Sequence, residues 1–423
     1  MRVLLINVVC GIRSTGRICT DLADQFIKNG DEVRIAYGRV DEVPEKYQKY
    51  AVRIGNPVDN VLHMLRTRTL DQHGFGSVRA TRRFLQWAEE YQPDLVWLHN
   101  IHGYYINVEM LFSWIKQHPE MKVKWTLHDC WAFTGHCAYF SSIHCEQWKK
   151  RCINCRQIRN YPSCYGHGNV EHNYERKKAA FTGVKDLTLI TPSKWLAELT
   201  RESFLREYPV EVRYNTINHE VFQPTESDFR KKYKLQKQYI ILGVASSWDK
   251  RKGLYDLYRL AQMLNENYAI VLVGLSQKQM NHLAKNVYGV QRTSLSTDSV
   301  QVYQPETSSE WKNLSDWSKD GQGPKESLAV PPRVEALYEA ITNREVPDIS
   351  ADAPCGCTIV CIPSTNSARE LAQIYTAADL FVNPTHEDNY PTVNLEAQAC
   401  GTKVVTYDTG GGRETLQNTD FSE

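Results

Sequence analysis

Short apolar runs alternate with amphipathic stretches along the first half of the chain. Residues 2–9 read as a strand, 17–29 as a helix closed by Gly30, and 32–37 as a second strand. Residues 94–99 and 122–128 repeat the strand pattern around a helical 108–117, and 187–191 and 210–214 add two more strands. Strand runs that are apolar on both faces, flanked by helices with one apolar stripe, predict a parallel sheet covered on both sides. A second series of the same kind starts with a strand at 239–245, a helix at 254–265 and a strand at 269–274. It resumes with the helix 368–377, the strand 379–382, a helix over 392–400 and the strand 403–407.

This pattern predicts an α/β protein of two doubly wound, Rossmann-like domains, residues 1–218 and 226–423, facing across a cleft. Ligands of such sheets bind at the carboxyl ends of the strands. A chain of 423 residues is long enough for two cores. Residues 294–364 interrupt the second domain. They carry eleven acids against five Lys plus Arg, are rich in Ser and Pro, and show a helical pattern only at 333–343. The expectation is an inserted, disordered surface loop, with a partner-docking element as the alternative.

The formal net charge of +1 argues against a dedicated nucleic-acid binder. Charge is nevertheless uneven. Residues 61–83 hold Arg66, Arg68, Arg79, Arg82 and Arg83 against Asp71 alone, a patch suited to phosphates or an anionic membrane surface, or simply a solvated helix face. The chain has no apolar run of about eighteen residues, and its first strand is too short and wrongly flanked for a signal peptide. A cytoplasmic protein is expected, at most at the inner face of a membrane. Twelve cysteines without a secretion signal point to reduced thiols or metal rather than disulfides.

Five loops at predicted strand ends carry candidate chemistry. Residues 386–402, His-Glu-Asp-Asn-Tyr-Pro-Thr-Val-Asn-Leu-Glu-Ala-Gln-Ala-Cys-Gly-Thr, lead from a strand into a helix. Amides at a helix start favour phosphate, and Asp388 and Glu396 place one carboxylate on the loop and one about two turns along the helix. Residues 243–253 end in Lys250-Arg251-Lys252-Gly253, cations where a leaving diphosphate accumulates charge, or a solvated turn. Cys10-Gly11-Ile12-Arg13-Ser14-Thr15-Gly16-Arg17 links the first strand to the first helix, and its glycines permit close backbone approach to a ligand. Leu127-His128-Asp129 and the 97–105 segment with His99 and His102 bring imidazoles to the same edge, where Asp129 can orient the His128 ring; strand-capping structural histidines are the plainer reading.

The segment 130–164 holds six cysteines. Cys152 and Cys155 have the spacing of a zinc knuckle, and Cys137 with Cys145 would complete a structural four-sulfur site, against the alternative of unligated thiols.

Taken in order, these loops resemble retaining glycosyltransferases of family 4, a two-Rossmann, GT-B family. Asp388-x7-Glu396 is similar to its acid-x7-acid signature, Lys252-Gly253 to its diphosphate-binding lysine, and Thr409-Gly410-Gly411-Gly412-Arg413-Glu414 to its Gly-Gly-x-x-Glu turn. The 128–137 run His-Asp-Cys-Trp-Ala-Phe-Thr-Gly-His-Cys resembles a bacterial, colanic-acid-like branch that builds surface polysaccharides. Two features depart from the family: Ser247 stands where many members carry Arg, leaving Arg251 to supply the guanidinium, and the chain ends soon after Glu414, where members continue with further helices.

The resemblance implies a hexosyltransferase that moves a sugar from a nucleotide-diphosphate sugar to a glycan or lipid-linked glycan, with no cofactor needed for catalysis. It implies Arg251, Lys252, Gly410, Gly411 and the amides of Thr392, Val393 and Asn394 on the diphosphate. Glu396 would lie on the ribose, Asp388 near the donor sugar hydroxyls, and His128 on the transferred sugar. Gly11, Arg13, Gly16, His99 and His102 would belong to the acceptor or phosphate loops. A nucleotide-sugar epimerase, a glycan phosphorylase and a non-catalytic scaffold are the competing readings.

Overall fold

Strand β1 (Arg2–Asn7) is the axis of a seven-stranded sheet, because its alternate residues enter two different cores. Leu4 and Ile6 pack on one face with Val96 and Leu98, while Val3 and Leu5 pack on the other with Val33, Ile35 and Trp97. A strand buried on both faces has no polar side to show, which is why its run is continuously apolar. The computed structural model describes residues 1–39, 42–286, 290–294, 296, 299–305 and 355–417. The chain divides into two compact units, Met1–Thr216 and Ile217–Glu423.

In the first unit β1 is followed by α1 (Arg13–Lys28), β2 (Glu32–Tyr37), β3 (Ala51–Arg53), α2 (Pro57–Leu70), α3 (Val78–Tyr91) and β4 (Leu95–Leu98). Then come α4 (Val108–Gln117), β5 (Lys122–Thr126), α5 (Val170–Phe181), β6 (Leu187–Thr191), α6 (Lys194–Glu202) and β7 (Val210–Val212). The sheet order is β3-β2-β1-β4-β5-β6-β7, parallel throughout. The order turns back beside β1, placing the loops after β1, β4 and β5 along one carboxyl edge.

Helix α1 begins four residues before its predicted start. Gly11 turns the chain at φ +70°, and Ile12 caps the helix without any side-chain hydrogen bond. With no Ser, Thr, Asp or Asn at the cap, and Ser, Thr and Gly in the first turn, nothing local announces a helix there. Arg13, Gly16 and Arg17 therefore lie in the first turns of α1, and the linking loop is shorter than predicted.

The second unit contains α7 (Phe229–Lys232), β8 (Tyr239–Val244), α8 (Leu254–Met263), β9 (Tyr268–Val273), α9 (Gln277–Asn286), β10 (Val290–Arg292) and β11 (Gln301–Pro305). After these come β12 (Thr358–Ile362), α10 (Ala368–Ala377), β13 (Leu380–Asn383), α11 (Thr392–Ala399), β14 (Lys403–Thr406) and α12 (Glu414–Gln417). Its sheet runs β10-β11-β12-β9-β8-β13-β14, parallel from β12 onward and antiparallel at the β10 and β11 edge. Ile241, Leu272 and Ile359 fill one face and Leu242, Val271 and Val360 the other.

The structure corrects the reading of 294–364 as one inserted loop. Thr358–Ile362 is a fully buried strand whose five residues pair in parallel with Ala269–Val273 of β9, and Gln301–Pro305 pairs with β12. Composition averaged over the whole segment concealed a five-residue run, Thr358–Ile362, near its end. The predicted helix at 333–343 lies outside the described residues.

Candidate functional site

In the second unit, β8 pairs directly with β13, so the loops leaving their carboxyl ends are neighbours. The backbone of one is stitched to the other: His386 N donates to Arg251 O at 2.7 Å, and Arg251 Nη1 donates to Glu387 O at 2.6 Å. Lys252 Nζ donates to the Asp388 carboxylate, and Asn389 N donates to Asp388 Oδ1 at 2.8 Å. Burial opposes ionisation of Asp388, but the Lys252 and Arg251 charges and these hydrogen bonds outweigh it and hold its pKa below the usual carboxylate range. His386 Nε2 lies 2.9 Å from Asp256 Oδ2, tying the loop to α8 as well.

The predicted glycines complete this cluster. Gly410 adopts φ +59°, and a Cβ there would stand 1.9 Å from Asp388 O; Gly411 N donates to that same oxygen at 3.1 Å. Only glycine allows the turn after β14 to press against the acidic loop. Gly253, at φ +73°, plays the same part toward Pro384 O, which a Cβ would meet at 2.1 Å.

Helix α11 starts beside this loop, with Pro391 at its cap and no side-chain cap bond. Thr392 and Val393 thus open the helix with backbone amides in its first turn. Asn394 is engaged within the fold: its amide donates to Pro391 O, and its fully buried side chain accepts from Asn383 and donates to Thr415, both at 2.8 Å. The Glu396 side chain is 9% exposed and accepts a hydrogen bond from Tyr375 OH at 3.1 Å. Tyr375 was not foreseen, although its four-residue offset from Leu371 along α10 marked it as inward-facing. A separate cavity of about 230 Å³, near Lys232, Ser364 and Glu370, touches none of the predicted residues.

In the first unit the carboxyl ends of β4 and β5 bring three predicted histidines together. His99 Nδ1 and His128 Nε2 are 3.1 Å apart with stacked rings. Burial pushes the His128 pKa down to about 4, and that of His99 well below its ordinary value, so both rings are neutral. The expected pairing of Asp129 with His128 is not made. Asp129 Oδ2 instead meets His102 Nε2 at 2.9 Å, and His102 Nδ1 reaches Tyr161 OH at 3.1 Å, forming a Tyr161–His102–Asp129 chain. The next β-strand edge, not the adjacent residue, supplies the partner. Burial raises the Asp129 carboxyl, but His102 and the Trp131 amide outweigh it and leave it below the usual range.

The glycine loop of this unit is tight. A Cβ on Gly11 would lie 2.8 Å from Pro44, and one on Gly16 would lie 3.0 Å from Val9. Arg13 and Arg17 point outward and are exposed. Helix α2 is inverted in polarity: His63 and Thr67 are buried, whereas Val58, Val61, Leu62 and Leu65 are 49–65% exposed. Among the described residues no helix is long and apolar enough to cross a membrane.

Cys137, Cys145, Cys152 and Cys155 all line one cavity of about 20 Å³. Cys137 and Cys155 are hydrogen-bonded to each other, and all four are free thiols. Beside them the wholly buried Lys177 donates to Trp131 O at 2.7 Å and Thr134 O at 3.0 Å, and its ammonium lies 3.7 Å from the Trp131 ring centroid.

The two units have the GT-B fold of two Rossmann-like domains. Residues 358–421, which begin at β12, match the family Glycosyl transferases group 1, a span that includes Asp388, Glu396 and Gly410. Over 170 residues the chain is 25% identical to the putative colanic acid biosynthesis glycosyl transferase WcaC of Escherichia coli (strain K12), covering 38% of this chain and 41% of that protein. The chain thus spans less than half of that relative's length in the match. Sucrose-phosphate synthase (tll1590) from Thermosynechococcus elongatus has a similar structure, with a TM-score of 0.55 at 15% identity over 97% of this chain and 82% of that one. Anabaena Alr3699/HepE in complex with UDP superposes with a TM-score of 0.52 at 13% identity, over 98% of this chain and 82% of that one.

Proposed function

We propose that this protein is a retaining glycosyltransferase that moves a hexosyl group from a nucleoside-diphosphate sugar to a hydroxyl of a growing, lipid-linked glycan in bacterial polysaccharide synthesis. The observation that carries this reading is the Lys252–Asp388 pair, which sets a cation and an ionised carboxylate side by side next to the start of α11. Lys252, Arg251 and the Thr392 and Val393 amides would take the diphosphate, and Asp388 a sugar hydroxyl. In transfer the bond from the anomeric carbon to the phosphate oxygen breaks, and a bond to the acceptor oxygen forms on the same face. The acceptor's proton passes to the leaving phosphate, which Lys252 and Arg251 stabilise as its charge grows, so positioning and electrostatics supply the catalysis. His128, neutral by burial, would hydrogen-bond the transferred sugar. The UDP complex of the structurally similar HepE supports a nucleotide donor, though not the choice of base.

A lipid-linked acceptor calls for a membrane surface. The exposed Val58, Val61, Leu62 and Leu65 follow the i, i+3, i+4, i+7 spacing of one helix face, and the exposed Arg66, Arg68, Arg79, Arg82 and Arg83 lie on α2 and α3. An apolar stripe combined with arginines fits an anionic bilayer.

The decisive experiment is calorimetric titration of UDP, GDP and ADP into the wild-type chain, Lys252→Ala and Glu396→Ala. Selective binding of one nucleotide, weakened by both substitutions, is expected. Wild-type binding of none of the three would exclude the donor site.

A further inference from the structure

We propose that Cys137, Cys145, Cys152 and Cys155 bind a structural zinc ion that staples the irregular segment between β5 and α5. Residues 127–169 contain no strand or α-helix, only three short 3₁₀ turns, Trp131–Phe133, Ser141–Ile143 and Gln147–Lys149. A segment of that length inside a folded unit needs something beyond backbone pairing to fix its path. Four thiols, spread over nineteen residues with spacings of seven, six and two, nevertheless come to one small cavity. Its volume of about 20 Å³ matches a single atom-sized guest. Four sulfurs leave no open coordination position, the mark of a structural rather than a catalytic zinc.

Charge points the same way. Lys177 is 1% exposed, and among the described residues no carboxylate lies within ion-pair distance of its ammonium; two carbonyls are its hydrogen-bond partners. A buried cation is costly without a counter-charge. When four thiols bind zinc, each gives its proton to solvent and the closed site carries a net double negative charge. Asp71 acts most strongly on the Lys177 charge, followed by Cys137, Cys152 and then Asp129, so a zinc–thiolate site would add to the counter-charge that these two carboxylates supply from beyond ion-pair distance.

Among the described residues no three His, Cys, Asp or Glu side chains stand as a ready-made ligand set. Closure on zinc therefore takes rotation of the thiols about their Cα–Cβ bonds into the cavity they already line, until each sulfur is about 2.3 Å from the metal.

The test is metal analysis of the full chain produced with zinc in the medium, beside Cys152→Ser, Cys155→Ser and, as a control outside the cavity, Cys400→Ser. About one zinc per chain is expected in the wild type and the control, with loss of most of it in the two cavity variants. Because a cavity variant can fail to fold, the wild type is also exchanged with Co²⁺ and its visible spectrum recorded. Strong tetrahedral thiolate bands are expected. Zinc far below one per chain in the wild type, cobalt bands absent or of octahedral oxygen type, or equal zinc in wild type and soluble cavity variants would each overturn the assignment.

Discussion

Lys252 reaches across from the loop after β8 to hydrogen-bond the carboxylate of Asp388 in the loop after β13, and both side chains are more than four-fifths buried. The pair neutralises itself in the unbound protein. A diphosphate arriving at this point would compete for the ammonium and leave Asp388 available to a sugar hydroxyl.

Lys252→Ala should therefore weaken binding of the preferred nucleoside diphosphate at least tenfold, about 1.4 kcal/mol, in calorimetry. Asp388→Asn should keep nucleotide affinity within a few-fold and lose most transfer. Unchanged affinity in Lys252→Ala would remove this lysine from the diphosphate site.

Gly410→Ala should be more damaging than its size implies. The added methyl would collide with Asp388 O, and the left-handed backbone disfavours any side chain. We expect a loss of about 1–3 kcal/mol in stability, read by urea unfolding, together with loss of nucleotide binding. A variant of normal stability and affinity would mean that the turn does not support the acidic loop.

Acid should destabilise the first unit well before its carboxylates titrate. Burial lowers the His63 pKa to about 3 and that of His128 to about 4, below the ordinary value of 6.5. Between those values and 6.5 the unfolded chain binds protons that the folded chain refuses, so stability is lost as pH falls through 6.5 toward 4, by up to about 1.4 kcal/mol per pH unit for each ring. Urea unfolding from pH 7.5 to 4.5 measures the slope. His63→Gln should make it shallower, although the exchange itself forfeits the hydrogen bonds that His63 Nε2 accepts from Gly74 N and Gly76 N, both at 3.1 Å. A flat profile would mean that these rings are charged in the fold.

Binding to vesicles tests the exposed face of α2. Wild-type protein should sediment with phosphatidylglycerol-containing vesicles and not with neutral phosphatidylcholine, and binding should fall as salt rises. Leu62→Glu with Leu65→Glu should abolish it while leaving nucleotide binding intact. Equal partition to neutral vesicles, or none to either, would remove the membrane from the proposed function.

Much of this architecture was legible because the central strands are apolar on both faces and the helices carry one apolar stripe; Glu32–Tyr37, Val108–Gln117, Leu187–Thr191 and Ala368–Ala377 form over the residues their patterns predicted. The misses have physical causes. Thr358–Ile362 is a short run near the end of a long segment whose average composition is polar and acidic, and the start of α1 lacks a capping residue. Asp129 was paired with its sequence neighbour, whereas its hydrogen bond goes to His102 on the loop after β4.

The sequence by itself determined the alternation of strands and helices, the loops that carry the charged and glycine residues, and the cysteine spacing, since these depend on local periodicity and on which residue types tolerate a turn. Only the tertiary structure decided which charges meet. Lys252 and Asp388 are 136 residues apart and become partners because β8 pairs with β13. Likewise, only packing decided that α2 buries His63 and Thr67 and turns its leucines outward. Strand order and helix orientation are set by the burial of the whole core, a non-local sum that no single segment contains.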